Sequence, residues 1–366
     1  MVWHGAKRPI LSKCVILIKW AKVNKRKRLL ESMKKVLITG ATGFIGYHLV
    51  RRLCQDNVAI RCLVRPTSSR FLLQSFEIEY YVGELYDTES LRRAVDGCDT
   101  VFHVAGRVRA RNYQEFEQIN RFGTETLAKI AAGCSTTPVF VYVSSLAAAG
   151  HSAPGCPRRE TDPAEPISRY GKSKLAGEIA LLSIAERIPC TIVRPGIVFG
   201  EADKMNLELF QTIKKFGIIP IPGFSGDKFY SWIHAADLSD LLVAAAQKGE
   251  RLDQNQPTGT GIYFASCDEE QRLSEIGRLI GQSVGRNRVR SHRMPVALWA
   301  LSTFYEAKKW LTGKPQPLDW EKMWESLHHW ACLSEKAKTQ LNFAPKPLED
   351  RINQTTQWFI EHGWLA

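Results

Sequence analysis

Val36-Leu37-Ile38-Thr39-Gly40-Ala41-Thr42-Gly43-Phe44-Ile45-Gly46 is the stretch that decides the fold. Its first four residues are apolar or β-branched, as a short buried strand requires. After Gly46 an amphipathic helical pattern runs through Leu49, Val50 and Leu53. Three glycines spaced by three thus stand between a strand and a helix. Such a turn sets backbone N–H groups and the positive helix end against a pyrophosphate, and glycine allows an approach that a side chain would block. The spacing carries one residue more than G-x-G-x-x-G.

Working outward, apolar strands alternate with amphipathic helices as far as Gly200. The pattern predicts an α/β, Rossmann-type doubly wound parallel sheet over residues 33–200, covered on both faces, with its site at the carboxyl ends of the strands. Beyond Gly200 the alternation becomes irregular, and residues 201–366 read mainly as a smaller C-terminal substrate-binding lobe, with 230–248 returning to the main domain. Within that lobe, Gly217 to Gly226 is rich in glycine and proline and reads as a substrate-facing loop.

Two residue constellations carry chemistry. Tyr170 and Lys174 are four apart, so on a helix they share a face; a neighbouring ammonium favours phenolate and brings the tyrosine toward the range where it exchanges protons with an alcohol or carbonyl. Ser144 and Ser145 follow the apolar run Val141-Tyr142-Val143, which places one hydroxyl where it can bond the developing oxyanion of a reduced carbonyl. Alternation alone does not choose between the two serines.

Taken in order, the motifs resemble the extended short-chain dehydrogenase/reductase family, whose signature reads T-G-x-x-G-x-x-G. Asp87 to Leu91, Val101 to Gly106, Asn120 to Thr124, Tyr170-Gly171-Lys172-Ser173-Lys174 and Arg194-Pro195-Gly196 each have a counterpart there, and the resemblance covers residues 34 to about 365. It implies a nicotinamide dinucleotide held by Gly40, Thr42, Gly43, Phe44, Ile45 and Gly46, by Glu84 and Leu85 in place of G-D-L, by Val104, Ala105 and Gly106, by Tyr170 and Lys174, and by Pro195 and Gly196. It assigns the catalytic serine to Ser145 through S-S-x-x-x-x-G, and puts Asn120 behind the site as a structural or proton-relay residue. His234, in Ile233-His234-Ala235-Ala236-Asp237-Leu238, is expected to start a helix.

The second strand, Ala59 to Val64, ends in Arg65-Pro66-Thr67-Ser68-Ser69-Arg70, with no carboxylate for a ribose 2′-hydroxyl. Arg65, assisted by Ser68, Ser69 or Arg70, suits a 2′-phosphate, so NADP is expected in preference to NAD. Relatives that act on nucleotide sugars place an arginine three residues before the Ile-His pair, and here that position is Tyr230. The expected activity is therefore hydride transfer between nicotinamide and a relatively apolar alcohol or ketone, sterol-, terpenoid- or flavonoid-like. A nucleotide-sugar epimerase or dehydratase is the runner-up, and a cofactor-sensing protein without turnover is the non-enzyme alternative.

Composition narrows the partners. The net charge is +13, but residues 1–32 hold nine basic residues against Glu31 alone, which leaves +5 over the rest, too small and dispersed a surplus for a nucleic-acid binder. This basic start reads as an extension outside the fold. Nine scattered cysteines without a C-x-x-C pair suit reduced thiols in a cytoplasm and imply no metal site. The resemblance implies a homodimer paired through helices at 112–133 and 169–187. Seven of ten tryptophans fall between Trp299 and Trp364, which suggests an aromatic cluster or pocket wall. Pro295 to Leu311 reads as a helix that could pack within the lobe, cover an apolar substrate or touch a membrane surface.

Overall fold

The computed structural model describes residues 33–223, 226–267, 271–316 and 318–365; the basic extension of residues 1–32 lies outside them. Seven strands form one parallel sheet: β1 (Lys35–Thr39), β2 (Ala59–Val64), β3 (Glu79–Val82), β4 (Thr100–His103), β5 (Val139–Val143), β6 (Cys190–Pro195) and β7 (Ile262–Ala265). Their order is β3-β2-β1-β4-β5-β6-β7. The direction of the order reverses between β1 and β4, where Thr39 pairs with His103, so the crevice opens beyond those two strand ends. Val36, Leu37 and Ile38 are fully buried, as expected of strands covered on both faces.

Helices α1 (Phe44–Cys54), α2 (Thr88–Val95), α3 (Tyr113–Glu117) and α4 (Thr124–Ala132) follow, the last two joined by a π-helical turn over Gln118–Gly123. Next come the single turn α5 (Leu146–Ala149), α6 (Arg169–Leu182), α7 (Leu207–Phe216) and α8 (Ala235–Lys248). Their starts are chemically marked. Asp87 accepts from the Glu89 and Ser90 amides, Asn112 from Glu115, and Ser168 from Gly171, each satisfying N–H groups that a helix start leaves open. His234 starts α8, its Nδ1 accepting from the Ala236 amide. The helices expected to pair two copies leave Phe122, Ile179 and Leu182 exposed.

The return of the chain to the main sheet goes further than 230–248. Trp232–His234 pairs with Ile197–Phe199 beside the sheet, and β7 itself lies alongside β6. The rest of the lobe is built from α7, α9 (Leu273–Ser283), α10 (Pro295–Thr312), α11 (Trp320–Ser326) and, beyond α12 (Glu335–Leu341), which returns Ala337 and Leu341 to the core of the main sheet, α13 (Leu348–Glu361). The segment read as a substrate-facing loop contains a strand, Ile218–Ile221, paired in parallel with Arg290–Arg293; Ile219 and Ile221 are buried, and that apolar pair outweighs the surrounding glycines and prolines. The tryptophans do not form one cluster: Trp299, Trp310, Trp320 and Trp324 are exposed, whereas Trp330, Trp358 and Trp364 pack against the lobe core.

A buried polar knot joins lobe and sheet. Glu201 receives Arg51 at 3.2 Å and Gln354 at 2.6 Å, His48 Nε2 lies 2.9 Å from its carbonyl oxygen, and His234 Nε2 lies 3.2 Å from its carboxylate. Burial drives the His48 imidazole down from 6.5 to about 4 despite that carboxylate. Between those values the unfolded chain binds a proton that the native state excludes, so stability falls as pH falls through the window. Denaturant unfolding from pH 7 to 4.5 is expected to show the fall. His48→Gln should remove about one proton's worth of the slope, ~1.4 kcal/mol per pH unit; an unchanged slope would place the acid sensitivity elsewhere.

Candidate active site

The glycine turn is shaped by contact. Gly40 has φ +74°, and a Cβ there would lie 2.7 Å from the Ala105 nitrogen; one on Gly46 would lie 2.1 Å from the Gly40 carbonyl oxygen. The turn thus sits directly on the end of β4. Gly43, in extended backbone, precedes α1 without a side-chain cap, which leaves the first-turn amides directed at the crevice. Thr42, Phe44, Ile45, Arg65, Glu84, Leu85, Val104, Gly106, Pro195 and Gly196 line the same cleft, a cavity of about 1980 Å³ that also takes in Ser145 and Tyr170. Of the residues expected to hold a dinucleotide, all but Lys174, which is buried, line this one cavity. Their uncapped helix start and glycine cradle fit a pyrophosphate.

Tyr170, in the first turn of α6, is half-buried and hydrogen-bonded to Ser145. Ser145 also accepts from the Ala147 amide at 3.1 Å as the cap of α5, which fixes its hydroxyl at the end of β5. Lys174 is buried, donates to the Val143 carbonyl at 2.7 Å and stands 4.2 Å over the Tyr142 ring. Burial lowers its ammonium to about 7, against the pull of Glu178.

A second cation stands at Tyr170 beside the expected Lys174: the ammonium of Lys322 of α11, paired with Glu325 at 2.6 Å, lies 5.2 Å over the Tyr170 ring. Burial raises the Tyr170 phenol above its usual range, and the Ser145 bond and Lys322 oppose that rise. Lys174 itself bonds a strand-end carbonyl. Arg169 and Glu321 join the same two helices, Arg169 Nε lying 3.0 Å from the Glu321 carboxylate.

Asn120 is buried and its amide is committed to scaffolding. It accepts from the Arg107 amide at 2.7 Å, and donates to the Arg107 carbonyl and to Ser173 Oγ, each at 2.9 Å. Ser173 in turn donates to the Tyr170 carbonyl at 2.7 Å, so Asn120 supports α6 through its backbone. Ser144 bonds Glu178, which also takes Arg194 Nε at 2.9 Å. Glu178 is the residue that sequence reasoning missed with a signal in reach, because Tyr170, Lys174 and Glu178 at i, i+4 and i+8 share one helix face. For Lys322 no spacing gave notice.

Residues 36–258 match the model of the NAD dependent epimerase/dehydratase family. The chain belongs to that family. Among the relatives, the ceramide reductase of Caulobacter vibrioides is 35% identical over 337 residues, 90% of this chain and 96% of that protein. The UDP-glucose 4-epimerase of Vibrio cholerae is 25% identical over 339 residues, 90% and 96% of the two chains. Among solved structures, that of gox2253 superposes with a TM-score of 0.74 at 25% identity, covering 91% of this chain and all of the other. The family is of the extended short-chain dehydrogenase/reductase type, and the parallel sheet described above is its cofactor-binding half.

Substituting the two glycines separates fold from binding. Gly40→Ala violates both a left-handed backbone and a backbone contact, and should cost ~2 kcal/mol or more in denaturant unfolding. Gly43→Ala should stay within ~1 kcal/mol of wild type yet weaken dinucleotide binding in calorimetry by about tenfold, ~1.4 kcal/mol. Unchanged dinucleotide binding by a stably folded Gly43→Ala variant would show that the turn is not a cradle.

Proposed function

We propose that the protein is an NADP-preferring oxidoreductase that interconverts a relatively apolar, lipid-like alcohol and its ketone. The observation that carries this reading is the lining of the cleft: the cavity that takes in the glycine turn, Ser145 and Tyr170 is also walled by Leu301, Tyr305, Leu318, Trp358 and Trp364. Tyr230, at the position where nucleotide-sugar enzymes carry an arginine, is buried and spends its hydroxyl on the Ser326 carbonyl at 3.0 Å. The ceramide substrate class named for one relative is compatible with such a wall.

In this reading Tyr170 hands a proton to the carbonyl oxygen during reduction and takes it back during oxidation, while Ser145 bonds the same oxygen and holds the charge that develops on it. Lys174, which keeps N–H donors beside its bond to the Val143 carbonyl, would hold the ribose, and Lys322 over the ring lowers the cost of Tyr170 ionisation. A nicotinamide held in the cleft would supply or accept the hydride at the carbonyl carbon. Glu178 and Arg194, outside the cleft lining, position the catalytic helix together with Ser144.

Arg65 is exposed at the end of β2 and shares the cleft wall with Ser68 and Ser69, which supports recognition of a 2′-phosphate. The nucleotide-sugar alternative draws on Arg109 and Lys204, both on the same cleft wall.

Tyr170→Phe should leave NADPH affinity nearly unchanged and lower kcat by about 10³-fold, assayed by absorbance on a panel of a keto sterol, a long-chain keto lipid, a dihydroflavonol and UDP-glucose. Epimerised or dehydrated UDP-sugar without net nicotinamide turnover would select the alternative. Arg65→Ala should raise KM for NADPH about tenfold or more, the worth of a charge-assisted bond, and leave KM for NADH within about twofold. Parallel losses for both cofactors would remove the NADP preference.

A further inference from the structure

Helix α10 is built inside out. Its two fully buried residues are Ser302 and Lys309, and Lys309 turns inward to pair with Glu306 at 3.1 Å and Asp319 at 3.0 Å. The large apolar residues point the other way: Val296 is 73% exposed, Phe304 62%, Trp310 84% and Leu311 76%, with Trp299 also exposed. At about 100° per residue these five, with Ala300 and Ala307, fall within an arc of roughly 140°. Trp320, itself exposed, donates its indole N–H to Thr303 at 3.3 Å and extends the patch onto α11. Among the described residues nothing covers this face. Water-exposed aromatic and aliphatic side chains in such a run mark an interaction surface.

Its surroundings select the partner. From Arg286 to Lys314 there are seven basic residues and a single acid, Glu306, a net charge of +6. Arg288, Arg290, Arg293, Lys308 and Lys314 are exposed within or flanking the helix along the chain. An apolar arc carrying tryptophans and flanked in sequence by exposed cations is the composition of a helix that lies in the headgroup region of an anionic bilayer. No helix among the described residues is long and apolar enough to cross a membrane, so contact would be with one leaflet.

We propose that the outer face of α10, continued by Trp320, docks the protein on anionic lipid bilayers. Leu301 and Tyr305 on the same helix line the catalytic cleft, so docking sets the mouth of that cleft at the membrane surface. The surface argues for this by itself and holds whatever substrate the cleft takes.

The test is sedimentation of the full chain with vesicles of phosphatidylcholine carrying about a third phosphatidylglycerol, a fraction set to supply negative surface potential. Wild type is expected to co-sediment with these vesicles, to bind pure phosphatidylcholine less, and to release as salt rises. The Phe304→Asp/Leu311→Asp double variant should lose about tenfold or more in partitioning at an unchanged melting temperature. Lys308→Glu/Lys314→Glu should weaken binding to anionic vesicles alone, and it serves as the deciding variant if the first pair melts early. The proposal is overturned if wild type does not bind. It is equally overturned if both variants bind as wild type does, which would place the contact elsewhere, the basic residues 1–32 included. A dimer in sedimentation equilibrium that Phe304→Asp/Leu311→Asp abolishes, without vesicle binding, would assign the face to a second copy.

Discussion

The ion pair between Glu178 and Arg194 holds together the three elements that make the site. Both side chains are 4% exposed, so each has lost its water and depends on the other. Removing one partner of such a pair typically costs ~3–5 kcal/mol, because the survivor is left charged and buried. Ser144 bonds the same carboxylate, and the knot therefore joins the end of β5, the end of β6 and the middle of α6. The helix has little room to slide against these anchors: a Cβ on Gly171 would lie 2.3 Å from the Ala147 carbonyl oxygen, and one on Gly177 would lie 2.4 Å from that of Asn120. Tyr170 and Lys174 inherit their positions from this packing.

The main sheet was readable because its strands, buried on both faces, appear as short apolar runs, and because a turn pressed against the next strand end tolerates only glycine at Gly40. β2 runs over Ala59–Val64, the bounds read for the second strand. β7 escaped notice because four apolar residues, Ile262–Ala265, do not declare which sheet they join. The strand at Ile218–Ile221 was hidden by Gly217, Pro220, Pro222 and Gly223, and an edge pairing tolerates the proline at its centre. Lys322 reaches Tyr170 only through the packing of the lobe, a contact to which local sequence is blind. The inverted face of α10 was obscured for a related reason: apolar periodicity shows that a helix has a greasy side, but not whether that side faces inward.

The lobe touches the start of α6 through two consecutive residues. Glu321 holds Arg169 at the start of α6, and Lys322 stands over the ring of Tyr170. Asp319, the cap of α11, pairs with Lys309 of α10. A line of contacts thus runs from the exposed helix to the Tyr170 ring, and the position of the lobe sets the field at that phenol as well as the shape of the cleft.

The π-helical turn over Gln118–Gly123 has a consequence for how this chain can vary in length. Within the wide turn the Asn120 carbonyl accepts from Thr124 Oγ1 at 2.9 Å and from the Tyr142 hydroxyl at 3.3 Å. Because a π-turn takes up one residue more than an α-turn, deleting one residue there would restore regular α geometry and leave the helix after it in phase. Leu127, Ala128 and Ala131 would stay buried against the sheet, whereas the bonds of Asn120 to Arg107 and Ser173 would be lost. The additional residue of the wide turn thus serves the anchoring of α6 and not the packing of α4.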